Sequence, residues 1–186
     1  MEIVSNRNEI SSLNDNRIEG NPKMEYSKIT FAGKDNILFR ENNVNLVPTL
    51  LVHQFLYENG FPIWDNYANE KSEKLKEIVK VHKENISTAY EEGVNILMGT
   101  DSGVIPHGHN LEELIHLMEI GMSSDEAIAS GTVKAAEFLG QNNLGLVKEN
   151  YVADLILVNS NPLDDVSILC DNDNILNVFQ DGSVVK

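Results

Sequence analysis

The chain has 186 residues, 14 of them basic and 29 acidic, for a net charge of −15. A surface this negative repels phosphate backbones and argues against sequence-independent nucleic-acid binding. The single cysteine, Cys170, leaves no intramolecular disulfide to form and reads as a small packed side chain rather than a nucleophile. No apolar run approaches the roughly 20 residues a membrane helix needs. The first residues, Met1 to Glu9, lack a basic stretch followed by an apolar one, so a cytoplasmic location is expected.

In chain order, residues 1–27 are polar and rich in asparagine, with no sustained period of 2 or 3.6, and are expected to be poorly ordered. The polar segment is taken to extend over 1–34. Ile37 and Leu38 then lead into a helix ending at Asn42 or Asn43. Val44 to Leu50 is a short apolar, β-branched run, a candidate buried strand, and Pro48 must lie at its end because it cannot donate to a ladder. Residues 51–71, with Gly60, Pro62 and Trp64, read as a long loop or broken helix. Ser72 is the expected start of a helix to about Glu92, with Leu75, Ile78, Val79, His82, Ile86 and Ala89 near one face and Gly93 as its left-handed terminator. Val94 to Met98 is a second buried-type strand.

Asn110 with Glu113 predicts a local capping pair for a helix through Leu111, Leu114 and Leu117 that Gly121 stops. Ser123 with Glu126 repeats the device for a helix from Ser124 to Leu139, stopped by Gly140. Helices alternating with buried strands are the rhythm of a parallel α/β architecture. Past Gly145 the pattern changes to short strands at 152–158, 175–180 and 184–185, with a hairpin turn at Asp181-Gly182. The expected units are 35–140 for the α/β part and 141–186 for the strand-rich tail.

Gly99-Thr100-Asp101-Ser102-Gly103 carries the strongest chemical signal. A carboxylate directly after a buried parallel strand lies where barrel enzymes keep catalytic groups, and Asp101 is suited to bind a metal or take a proton from water. Asp and Gly are equally common as plain turn residues. His107-Gly108-His109 follows. With Asp101 the two histidines form a compact three-ligand set on one loop, and the competing reading is loop histidines facing solvent or substrate. His53, His82 and His116 read as packed or surface residues. The chain holds no Gly-x-Ser-x-Gly elbow, phosphate loop or dinucleotide fingerprint.

Taken in order, several stretches together resemble the amidohydrolase superfamily, within it the group of imidazolonepropionase and Xaa-Pro dipeptidase-like enzymes. They are Asn43 to Leu50, Gly93 to Gly103, His107 to Leu114, Gly121-Met122-Ser123, Glu126-Ala127-Ile128, Thr132, and Ala135 to Gly140. Leu144-Gly145, Ala153 to Ile156 and Asn161-Pro162-Leu163 complete the set. The resemblance covers about residues 35–186. It implies the C-terminal part of a (β/α)8 TIM-like barrel, with 44–50 and 94–98 as its last two strands, followed by strands of a small β-sandwich. It implies Asp101 as metal ligand and general base, and His107 as a substrate-binding loop residue. The reaction implied is hydrolysis of carbon–nitrogen bonds, non-peptide or dipeptide-like, by metal-activated water. The substrate would be a small-molecule amide or cyclic amide and the cofactor a zinc-like divalent metal.

The family's His-x-His after the first barrel strand, its bridging lysine and its middle-strand histidines have no counterpart upstream; Lys28 falls where the sixth strand's histidine would stand. One carboxylate does not hold a catalytic metal against water, which takes about three protein ligands. The expectation is a truncated hydrolase that neither retains metal nor turns over alone, in an oligomer or with a complementary fragment. A non-catalytic remnant that keeps the segment as an interaction surface is the alternative.

Overall fold

The structure, a computed structural model, describes residues 2–4, 33–59 and 68–186. The expectations for residues 5–32, including Lys28, and for Gly60, Pro62 and Trp64 lie outside the described residues.

A three-stranded sheet of strands β1 (Glu2–Val4), β2 (Asn45–Val47) and β3 (Asn95–Ile96) holds the centre of the α/β part. β2 and β3 run parallel, with Asn45 opposite Asn95 and Leu46 opposite Ile96. The Leu97 amide donates to the Leu46 carbonyl at 2.9 Å and extends the ladder. β1 lies antiparallel on the free edge of β2, giving partners to backbone groups that a bare edge leaves open. Parallel strands need a long crossover, supplied here by helices α2 (Leu50–Asn59) and α3 (Ala68–Glu91). Helix α1 (Gly33–Glu41) precedes β2, and Asn43, with φ +51, ends it where an asparagine tolerates the left-handed region.

Two departures from the sequence reading stand out. Of residues 51–71, read as a long loop or broken helix, the described part is helical, α2 to Asn59 and α3 from Ala68, so α3 starts before the expected Ser72. The helix expected over 124–139 is two helices, α5 (Ser124–Gly131) and α6 (Val133–Phe138), broken at Thr132 with φ −122 and ψ −99. A Cβ on Gly131 would stand 2.7 Å from the Met98 sulfur, so helix and strand end approach closely just before the break.

The main core joins Leu46 and Ile96 from the sheet to Ile86 and Ala89 of α3, and to Leu114 and Leu117 of α4 (Glu113–Glu119). Ile86, Ala89 and Leu117 have no exposed surface, and truncating a side chain packed this way to Ala costs about 2–5 kcal/mol for Leu or Ile. A smaller cluster of Leu51, Val52 and Ile105 packs the start of α2 against the loop that follows β3.

The tail forms a separate antiparallel sheet of β4 (Leu155–Val158), β5 (Ile175–Gln180) and β6 (Ser183–Val184), in a single layer among the described residues. Asp181 and Gly182, with φ +47 and +76, make the tight turn before β6. Val158 and Ile168 reach the main core, whereas Ile156, Leu157, Leu176 and Val184 are exposed. Among the described residues no helix is long and apolar enough to cross a membrane.

Candidate functional site

Both parallel strands end at the same side of the sheet, and each is followed by a gripped loop. After β2 come Pro48 and Thr49, the latter left-handed at φ +48 and 2% exposed. The Pro48 carbonyl accepts from His82 Nε2 at 2.9 Å, and the Thr49 carbonyl accepts from His53 Nδ1 at 3.2 Å. The two imidazole rings lie 4.5 Å apart between centroids. Burial lowers both histidines, and with the neighbouring His53 it takes His82 down to about 4. Each ring is therefore neutral near pH 7, with its N–H committed to a carbonyl.

The next two amides of the same loop point the other way. Leu50 N–H and Leu51 N–H, at the first turn of α2, donate to the two oxygens of Glu113 at 2.8 and 2.6 Å. Glu113 is wholly buried. Burial pushes its carboxyl up to about 7, against the pull of the two amides and with the Asp101 charge raising it further. Glu113 thus caps α2, not its own helix. The local capping pair predicted at Asn110 and Glu113 is corrected: both side chains leave their own helix and reach other loops. The pair at Ser123 and Glu126 behaves as expected, with Glu126 accepting from the Ser123 amide and hydroxyl at 3.0 and 2.7 Å.

After β3 the chain passes Gly99, where a Cβ would lie 2.3 Å from Val47 Cγ1, so only glycine lets the two strand ends come this close. Asp101 follows, exposed and left-handed at φ +48. Its carbonyl accepts from Val104 N–H at 3.0 Å, closing a tight turn. Ile105, 2% exposed, pins the far side of that turn against Leu51 and Val52. The Asp101 charge acts on both His53 and Glu113. The structure therefore brings Asp101 to the same end of the strands as a buried carboxyl and a paired histidine.

The three-ligand set of Asp101, His107 and His109 does not form. His107 and His109 are exposed, and His109 Nδ1 is engaged by Glu112 at 2.6 Å. Among the described residues no three His, Cys, Asp or Glu side chains converge on a metal position. With no three such side chains converging among the described residues, the donor set present does not fit a closed divalent-metal centre. His116 sits against Glu119 at 3.0 Å. Cys170 is half-buried, and burial pushes its thiol up to about 11, which suits a packing role.

Sequence reasoning missed the grip on the β2 loop by His53, His82 and Glu113. The signal was available in part. His53 stands four residues after Thr49, the spacing at which a side chain on a first helical turn returns to the carbonyl that opens it.

The amidohydrolase family model matches residues 15–185. The chain belongs to the amidohydrolase family. Ochratoxinase from Aspergillus niger is 30% identical over 153 residues, covering 80% of this chain and 31% of that protein. A 5-methylthioadenosine/S-adenosylhomocysteine deaminase from Caldicellulosiruptor saccharolyticus is 33% identical over 84 residues, 40% of this chain and 20% of the relative. Among solved structures, a Xaa-Pro dipeptidase with methionine bound in its active site superposes with a TM-score of 0.71 at 34% identity, over 82% of this chain and 37% of that one. A protein from Bifidobacterium longum described as a prolidase gives a TM-score of 0.72 at 28% identity, over 84% of this chain and 40% of that one. The fold is thus α/β with neighbours in the amidohydrolase barrel class. The chain spans about a third of the length of the curated ochratoxinase relatives it matches. The family is generally metal-dependent.

Proposed function

We propose that this chain supplies the C-terminal barrel segment of a hydrolase of carbon–nitrogen bonds, with Asp101 as the general base that takes a proton from the attacking water. The observation that carries the reading is the position of Asp101: exposed, in the loop that leaves the parallel edge strand β3, at the strand end where amide-hydrolysing barrels place their chemistry. In this reading β2 and β3 are the last two barrel strands and the tail sheet belongs to a sandwich. His107, exposed six residues further along the same loop, is the substrate-facing side chain. Asp101 would also offer one oxygen to a divalent metal, whose remaining ligands a complementary segment would have to supply. The substrate class is a small amide, cyclic amide or dipeptide-like molecule, in keeping with the Xaa-Pro dipeptidase and ochratoxinase among the similar proteins.

The test grafts residues 33–186 in place of the matching segment of the Xaa-Pro dipeptidase and assays Xaa-Pro dipeptides and N-acyl amino acids with zinc supplied. Turnover that falls about 10²–10⁴-fold on Asp101→Asn supports the reading, the range expected when a positioned base is lost. Turnover indifferent to that change sinks it. The ungrafted chain is expected to give none.

A second reading, a non-catalytic interaction partner, is favoured by one observation: the apolar Ile156, Leu157, Leu176 and Val184 stand exposed on the tail sheet. The graft separates the two, since both readings expect little metal on the isolated chain. An inert graft favours the partner role.

A further inference from the structure

Asp101 occupies a backbone region that a residue with a Cβ rarely adopts, with φ +48. Aspartate tolerates this region better than most residues, and the Val104 amide closes the turn on its carbonyl. Its exposed side chain accepts no hydrogen bond from the described residues. The two residues flanking it are held by one side chain. Asn110 Nδ2 donates to Thr100 Oγ1 at 3.2 Å and to Ser102 Oγ at 2.6 Å, and the two hydroxyls lie 3.0 Å from each other. On its other side Asn110 Oδ1 accepts the Gly108 amide at 3.3 Å. A backbone N–H can only donate, so this bond fixes which way the amide group faces and aims the NH2 at the two hydroxyls.

Three residues further on, Glu113 holds the Leu50 and Leu51 amides. Positions i and i+3 of a helical turn share a face. One short segment therefore joins the loop after β2 to the loop after β3, with Asn110 on the Asp101 side and Glu113 on the α2 side.

We propose that Asn110 is a positioning residue for Asp101: by tying Thr100 to Ser102 it keeps the aspartate between them in the left-handed region and turned out to solvent. The proposal rests on the hydrolase reading for its purpose, but its geometry stands independently. Asparagine is the fitting residue because the site asks for two donors and one acceptor on a short side chain; leucine offers none and aspartate only acceptors. The same bond to Gly108 sets the His107 loop, so one amide orders both residues assigned to chemistry.

The test is made on the intact chain by NMR, without any assay of turnover. The one-bond Cα–Hα coupling and the backbone shifts of Asp101 report whether its φ is positive. Asn110→Ala is expected to abolish that signature, as is the double change Thr100→Val with Ser102→Ala, which leaves Asn110 in place. Glu113→Gln is the control: it should move the Leu50 and Leu51 amides and leave Asp101 as it was. An Asp101 that keeps positive φ in the Asn110→Ala chain overturns the proposal. So does global unfolding by both the Asn110 and the hydroxyl variants, since a residue that only orients Asp101 is not needed for folding. If the signature is lost as expected while the grafted enzyme stays inert, the hydrolase reading fails and the positioning role stands.

Discussion

The loops after β2 and β3 leave neighbouring parallel strands at the same end of the sheet, yet they are built on opposite principles. The β2 loop is buried and held at four consecutive residues: two carbonyls by His82 and His53, two amides by Glu113. The β3 loop exposes its central carboxylate and is held by its own backbone turn and by side chains at its flanks, Asn110 and Ile105. The four paired backbone groups make the β2 loop a rigid support, although the buried Thr49 hydroxyl finds no partner among the described residues. A group meant to meet substrate must stay free of partners. The division predicts that changes in the β2 loop act on stability and changes in the β3 loop act on reaction rate.

The largest effect expected is on activity alone. In the grafted enzyme Asp101→Asn should remove about 10²–10⁴ of turnover while the thermal midpoint stays within a degree or two, since the side chain is exposed. A large fall in stability would erase the distinction between the loops.

Glu113→Ala is the mirror case. It leaves the Leu50 and Leu51 amides buried without acceptors and opens a void where a wholly buried side chain stood. A loss of about 3–5 kcal/mol is expected by urea unfolding. Glu113→Gln, which keeps an acceptor for one amide, should lose about half of that.

The β2 loop should also betray itself by its pH dependence, and the signs oppose each other. Glu113 has a raised folded value, about 7, so its contribution is complete below the ordinary carboxylate range and is lost as pH rises through 7. His82 has a lowered folded value, about 4, so its contribution is complete above the ordinary histidine value and is lost as pH falls from 6.5 toward 4. In the Glu113→Gln chain the rise on acidification should vanish and the histidine limb remain, on the order of 2 kcal/mol. Adding His82→Gln should make it shallower and leave the share of His53, which burial also lowers. A Glu113→Gln chain whose urea midpoint still climbs between pH 8 and 6 would deny the buried carboxyl its role.

How much of this was legible in the sequence follows from the range of the interactions. Val44 to Leu50 and Val94 to Met98 announced strands through apolar runs broken by Asn45, Thr49 and Asn95, but the strands are the shorter Asn45–Val47 and Asn95–Ile96 and Leu50 already opens α2. Gly99 and Gly103 bracketed Asp101 visibly. Leu50–Asn59 did not announce α2, because the group that caps it is 63 residues away at Glu113 rather than in a local Ser, Thr or Asp. The break at Thr132 was hidden for a similar reason. It lies beside the close approach of Gly131 to Met98, a contact between a helix and a strand end that no local pattern records. Asn110 and Glu113 fit a capping signature at the right spacing, and the tertiary fold used both for something else. Metal ligation was the least legible: the ligand types are present at Asp101, His107 and His109, but only coordinates show that they do not converge.

The smallest effect sharpens the comparison most. Ser102→Ala removes one acceptor from Asn110 on a half-exposed loop, leaving Thr100 still within reach of the same amide. Its cost in stability should be about 1 kcal/mol or less, the net worth of one neutral hydrogen bond. If the β3 loop serves chemistry rather than cohesion, that small cost should come with a disproportionate fall in the turnover of the grafted enzyme, about tenfold in kcat with little change in KM. A misoriented base weakens the transition state without loosening substrate binding. Equal and small effects on both quantities would place Ser102 in the same class as the β2 loop's supports, and the contrast between the two strand ends would be one of exposure alone.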